Sequence, residues 1–271
     1  MRRMVLGDAV PADRVATIQT PGGTGAIRQL YEAIKKINGE ATLWLSDPTW
    51  PSHVGIAKHM GMKIRHYRYF DSASSNVDFA AMMEDLSEIG AQDVLMLHGC
   101  CHNPTGANLD AGQWAAITDL VLEKGAIPFI DIAYQGFGDG LDEDAANLRS
   151  MAARVPEMLI AASCSKNFGL YRDRVGCAMA IYDSADKHAV VTRNLAVLNR
   201  LNYSFAPDHG AAVVGIILED SGLRAMWETE LAEMRETMLT IRRDLADELR
   251  RQCNTDRFDF IADHRGMFSR L

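Results

Sequence analysis

Apolar positions recur along the chain with two spacings. Ile27, Leu30, Ile34 and Ile37 share one face of a helix read from Ala26 to Ile37. Phe79, Met82, Leu86 and Ile89 repeat that spacing, as do Trp114, Ile117 and Val121, where Asp110 is placed to cap the helix. Between these lie short apolar runs of the kind that form buried strands: Thr42–Ser46, Asp93–Leu97, Ile127–Asp131, Met158–Ser163 and Val175–Ile181. Asp47-Pro48-Thr49-Trp50-Pro51 and the stretch from Gly99 to Gly106 read as loops. Strands alternating with helices predict an α/β domain whose central sheet is mostly parallel and flanked by helices. Near the end, Leu223, Trp227, Leu231, Met234, Met238, Ile241, Leu245 and Leu249 predict one long helix, well beyond the usual length of about 11–12 residues. A helix of that length often joins two domains. The boundary is placed near Glu233, giving a main domain over 1–233 and a remainder, 234–271, too short to fold alone.

Composition narrows the classes without changing that picture. Of 271 residues, 48% are apolar, enough for a sizeable core, and the net charge of −8 offers no basic footprint for nucleic acid. The longest apolar run, Ala211–Leu218, falls short of the roughly 18 residues that cross a bilayer. Met1-Arg2-Arg3 is not followed by the apolar stretch of a signal peptide. Five cysteines with no CxxC pair predict neither a disulfide framework nor a zinc site, and suit reduced thiols in the cytoplasm.

In open α/β sheets, ligands bind outside the carboxyl ends of the strands. Here those ends lead to Trp50 and His53, to His98, His102 and Asn103, to Asp131 and Tyr134, and to Ser163, Ser165 and Lys166. Gly22-Gly23-Thr24-Gly25 directly precedes the first helix and suits an anion held by backbone N–H groups, although a flexible turn explains it equally well. Lys166 follows a buried-type strand, sits among small hydroxyl residues and lies eight positions before Arg174; desolvation beside a cation turns a lysine into a nucleophile toward aldehydes. Asp131, at the end of an apolar strand, needs a partner, and a pyridinium nitrogen would be one. Taken singly, Trp50, His53, His98 and Tyr134 are better explained by packing than by function.

Together the segments resemble a known family. Ser163-Cys164-Ser165-Lys166-Asn167-Phe168-Gly169-Leu170-Tyr171, with Arg174-Val175-Gly176, is similar to the lysine segment of class I aspartate and aromatic-amino-acid aminotransferases, pyridoxal-phosphate (PLP) enzymes of fold type I. Thr20-Pro21-Gly22-Gly23-Thr24-Gly25-Ala26, His98-Gly99-Cys100-Cys101-His102-Asn103-Pro104-Thr105-Gly106 and Asp131-Ile132-Ala133-Tyr134-Gln135-Gly136-Phe137 resemble the same family in the same order. The resemblance implies a PLP-binding large domain over 1–233 and the start of a small domain over 234–271. It implies that Lys166 holds PLP as an aldimine and shuttles the proton, that Asp131 pairs with the ring nitrogen with His53 behind it, and that Tyr134 and Asn103 bond the ring oxygen. Trp50 would stack on the ring; Gly23, Thr24, Ser163 and Arg174 would hold the phosphate. Trp50 and Asn103 would also meet substrate. Arg200, in Arg200-Leu201-Asn202-Tyr203-Ser204, would reach the neighbouring subunit's site in a homodimer and fork onto a dicarboxylate; Phe205-Ala206 departs from the family there. Against the family's pattern, an N-terminal arm and the arginine for the substrate α-carboxylate lie outside the segment, so the chain is expected to be a truncated form. The expected reaction is ping-pong transamination between aspartate or an aromatic amino acid and 2-oxoglutarate. A β-lyase of the same fold and an inactive remnant that binds PLP or a partner subunit stand as alternatives.

Overall fold

The computed structural model describes all 271 residues. In chain order it comprises α1 (Arg2–Leu6), β1 (Val15–Pro21), α2 (Gly22–Ile37), β2 (Thr42–Asp47), α3 (Pro51–His59) and β3 (Lys63–Arg68). A small hairpin, β4 (Phe70–Asp71) and β5 (Asn76–Val77), leads to α4 (Phe79–Leu86). Then come β6 (Val94–His98), α5 (Ala111–Lys124), β7 (Ile127–Ile132), α6 (Glu143–Ala152), β8 (Met158–Ser163) and β9 (Val175–Ile181). Helices close the chain: α7 (His188–Tyr203), α8 (Asp208–Glu219), α9 (Ser221–Cys253) and α10 (Phe260–Asp263).

Seven strands form one sheet in the order β1-β9-β8-β7-β6-β2-β3. β2 pairs in parallel with β3 and β6, and the β6–β7 and β7–β8 pairs are also parallel. Only β9 runs against both of its neighbours. That reversal matters for the site. It brings the amino end of β9, and Arg174 just before it, to the edge where β8 ends in Ser163, which pairs with Gly176.

The sheet is buried on both faces, and its central strands read as unbroken apolar runs for that reason. One face carries Met82 and Leu86 of α4, Trp114, Ile117 and Val121 of α5, and Leu148 and Met151 of α6. The other carries Ile27, Leu30, Tyr31 and Ile34 of α2, Ala57 of α3 and Leu195 of α7. α5 begins at a capping box, Asp110 with Gln113, and ends at Gly125 with φ 67°, the left-handed cap that glycine adopts without strain.

The structure corrects several expectations. Gly22–Gly25 do not precede the helix; they form its first turn. The helix read through Ile89 stops at Leu86, with Ile89 still buried in the turn that follows. The β7 strand runs one residue past Asp131. β1 and β3 were not anticipated. β3 is an edge strand, Lys-Ile-Arg-His-Tyr-Arg, in which only Tyr67 is buried; charge on an edge blocks further pairing and erases the apolar signal. The single long helix expected near the end is observed as α9, with Glu233 inside it. No helix is long and apolar enough to cross a membrane.

Candidate active site

The carboxyl edge of the sheet opens into a cavity of about 230 Å³ lined by Gly23, Thr24, Trp50, Asn103, Asp131, Tyr134, Ser163, Lys166 and Arg174. Nine of the eleven residues to which the resemblance gives a role therefore meet there, and His98 and Ser165 join them. His53 lies one layer behind and Arg200 lies elsewhere. The sheet register explains the convergence: His98 pairs with Asp131, and Asp131 with Ala161, two residues before Ser163.

Asp131 is 6% exposed, and its Oδ2 lies 3.0 Å from Nε2 of His53, which is fully buried. Thr49 Oγ1 is 2.9 Å from Nδ1 of the same ring, and Trp50 meets the ring edge-on at 5.3 Å. Burial pulls the Asp131 carboxyl upward, but the hydrogen bond and electrostatic attraction of His53 outweigh it, with Lys166 adding a smaller pull, and the net shift is downward. The floor of the site thus holds a fixed negative charge. His98 packs against His53 at 5.2 Å and His102 at 4.1 Å. Burial pushes His98 down to about 3, so it is neutral, and its Nε2 has no partner in the protein.

Lys166 is half-buried, with Nζ 4.7 Å from the centre of the Tyr134 ring. Burial lowers its pKa, Asp131 opposes that shift, and Arg174 adds to it. Asn103 Nδ2 donates to Tyr134 Oη at 3.4 Å. Burial and the charge of Asp131 push the Tyr134 phenol up to about 12, so it enters chemistry as a hydroxyl.

The anion end is built by close approach. α2 starts without an acidic residue in its first turn and without a side-chain cap, so its first N–H groups are free for a ligand. Gly22 has φ 73°, and a Cβ there would occupy the place of the Arg174 guanidinium. A Cβ on Gly23 would come within 3.1 Å of the Ser163 Cβ. Arg174 Nη1 donates to Ser165 Oγ at 3.4 Å, and Ser163 Oγ to Ser165 Oγ at 3.1 Å. Backbone donors, two hydroxyls and a guanidinium at one end, a buried carboxylate at the other and a desolvated amine alongside fit PLP group by group: phosphate, ring nitrogen and aldehyde.

The long helix braces this edge. Phe168 stacks on Trp227 at 4.2 Å, Trp227 Nε1 donates to the Asn167 carbonyl at 2.6 Å, and Arg235 reaches the Gly136 carbonyl at 3.2 Å. Further along, Arg242 is 8% exposed and has no carboxylate partner. Its guanidinium donates to the carbonyls of Ile261, Gly266 and Phe268 and to Ser269 Oγ. The tail so held is pinned to the Asn103 loop by Arg265 N–H to the Gly106 carbonyl at 3.0 Å and Arg270 N–H to the Thr105 carbonyl at 3.1 Å. Phe268 meets the Tyr134 ring edge-on at 6.4 Å.

The family model for aminotransferase class I and II matches residues 3–270. The chain belongs to the class I and II aminotransferases. The aromatic-amino-acid aminotransferase of Paracoccus denitrificans is 51% identical over 271 residues, which is all of this chain and 69% of that protein. The aspartate aminotransferase of Escherichia coli (strain K12) is 42% identical over 257 residues, 94% of this chain and 65% of that protein. A solved structure of the Burkholderia pseudomallei aromatic-amino-acid aminotransferase, covalently bound to pyridoxal phosphate, superposes with a TM-score of 0.96 at 39% identity, covering 99% of this chain and 68% of that one. The chain thus spans about two thirds of the length of these aminotransferases.

Within this aminotransferase chain, Arg200 is exposed on α7 and outside the cavity. Ile27, Ala133 and Tyr171 line the cavity without having been singled out as ligands. Ile27 had a signal, since it lies one helical turn after Gly23. Tyr171, 51% exposed, stood inside the lysine motif but offered nothing to distinguish it from a surface tyrosine.

Proposed function

We propose that this chain carries the PLP site of an aminotransferase acting on aromatic amino acids or aspartate, with 2-oxoglutarate as acceptor. One observation carries the reading: Lys166, desolvated beside Arg174, shares a cavity with Asp131, a buried acid bonded to His53. Gly23, Thr24, Ser163 and Arg174 would hold the cofactor's phosphate, Asp131 its ring nitrogen, Tyr134 and Asn103 its ring oxygen, with Trp50 alongside the ring and Lys166 as covalent anchor. When bound, PLP draws electron density from the substrate α-carbon. Lys166, freed as an amine, moves the proton at that carbon as base and then as acid. Asp131 keeps the site's charge fixed, and His53 keeps Asp131 ionised and oriented. Tyr134, protonated at working pH, donates through its hydroxyl. Trp50 and Asn103 flank the substrate as well as the cofactor.

Arg200 is assigned to the partner's site in a homodimer. Val190, Val197 and Leu201, 61%, 48% and 68% exposed, share its helix, and Phe205 just beyond is 81% exposed. Such a stripe at helical spacing suits burial against a second copy. We divide the chain at 233, since Trp227 and Leu231 pack on the cofactor loops. Five free thiols suit a reducing, cytoplasmic setting.

The test is turnover by the purified chain loaded with PLP, given tyrosine or aspartate and 2-oxoglutarate. Glutamate formation above a Lys166→Ala control is expected. Ammonia release from an amino acid with a leaving group on its β-carbon, without a keto-acid acceptor, would point to a β-lyase, and equal rates in the two proteins would overturn the reading.

A further inference from the structure

Cys100 and Cys101 follow the end of β6, and neither takes part in the chemistry above. Cys101 is 1% exposed with φ 51°, while Cys100 is half-buried and lines a separate cavity of about 90 Å³ with His98, Asp139, Glu143, Asp144 and Asn147. The two sulfurs and a carboxylate oxygen of Asp144 lie within 4.8 Å of one another.

We propose that this adjacent pair is a dithiol site for trivalent organoarsenicals. The donor set excludes harder ligands. Both oxygens of Asp144 are already engaged, Oδ2 by the N–H groups of Gly136 and Gly138 and Oδ1 by that of Asp139. A hard cation would have to displace these three N–H donors to gain Asp144 as a ligand, and it gains little from sulfur. A zinc ion would need two thiolates, whereas the hydrogen bond to Cys101 and burial push the Cys100 thiol well above its usual range. An arsenical of the form R–As=O needs neither. Two As–S bonds form, the As=O bond breaks, and both thiol protons leave with the oxygen as one water; arsenic keeps its oxidation state. The product is neutral, which a buried pocket favours, and soft sulfur matches a soft centre. The other cysteines offer no such pair partly open to solvent: Cys164 and Cys177 are buried and Cys253 is exposed and alone.

Occupancy reaches the active site through the backbone. Cys101 lies against Gly266, where no Cβ fits, and Asn103, the partner of Tyr134, is two residues on. Drawing both sulfurs onto one atom must turn Cys101 within that packing.

The experiment treats the cofactor-free chain with phenylarsine oxide and then with excess monothiol, and weighs it intact. One adduct per chain is expected, resistant to the monothiol, removed by 2,3-dimercaptopropanol and absent from Cys100→Ser and Cys101→Ser. Peptide mapping of the native protein should place it on the segment holding residues 100 and 101, whether or not either variant folds. No resistant adduct, or one mapped to another cysteine, would overturn the site. Because binding is read by mass without cofactor, the result stands apart from the proposed activity.

Discussion

Replacing Asp131 with alanine and with asparagine separates the scaffold from the charge. The carboxylate accepts from His53 in a layer that is fully buried. Alanine leaves that ring nitrogen without a partner, which costs about 1–3 kcal/mol. For a chain of this size the thermal midpoint should fall by roughly 2–10 °C. Asparagine keeps an acceptor at the same position, so its midpoint should stay close to that of the parent. Both variants lose the negative charge proposed to face the cofactor's ring nitrogen. Removing one preorganised electrostatic group from a dry site lowers turnover by about 100- to 1000-fold, so turnover should collapse in both, while PLP is still retained by the phosphate end. The assay pairs thermal melts with single-turnover absorbance changes on PLP-loaded protein. An asparagine variant that turns over near the parental rate would refute the role given to Asp131.

Other expectations follow from the same geometry. Lys166 has a lowered pKa in the folded chain, so between that value and the ordinary lysine value the unfolded chain binds the extra proton, and stability rises with pH across that window. Lys166→Met should flatten this rise and melt higher than the parent at pH 7; a melt that falls at pH 7 would contradict a desolvated amine. Gly22→Ala places a Cβ against Arg174 at φ 73°, and the strain of about 1–3 kcal/mol should weaken PLP binding by about 5- to 150-fold in a fluorescence titration, against no change if the cradle is elsewhere. Arg242→Lys cannot reproduce the fork of donors to four tail acceptors and should lower stability by about 2–4 kcal/mol. It should also shift the absorbance pH midpoint of bound PLP, because the tail braces the Asn103 loop; an unshifted midpoint would confine Arg242 to stability.

The chemistry was legible because it is written in short contiguous segments. Lys166 with Ser163, and Asp131 with Tyr134, sit at fixed offsets set by single strand ends, so the sequence groups them before any tertiary contact is known; Arg174 joins them only through the antiparallel pairing of β8 with β9. The central strands were legible because burial on both faces makes them apolar throughout. β3 was not, since an edge strand with one buried side chain carries no such signal. The glycines of Gly22–Gly25 read as a turn because glycine disfavours helix; their place inside the first turn of α2 is set by the approach of Arg174 and Ser163. Arg242 was illegible for a different reason. It stands in a helix rich in surface charge, and only the tail folded back from residues 261–269 shows that its charge is buried.

In the proposed site one amine, that of Lys166, takes the cofactor's aldehyde. Borohydride reduction of the PLP-loaded chain, followed by peptide mapping, tests it directly. A single pyridoxyl group on Lys166, absent from Lys166→Ala, is the predicted result. A group spread over other lysines, or none at saturating PLP, would contradict it.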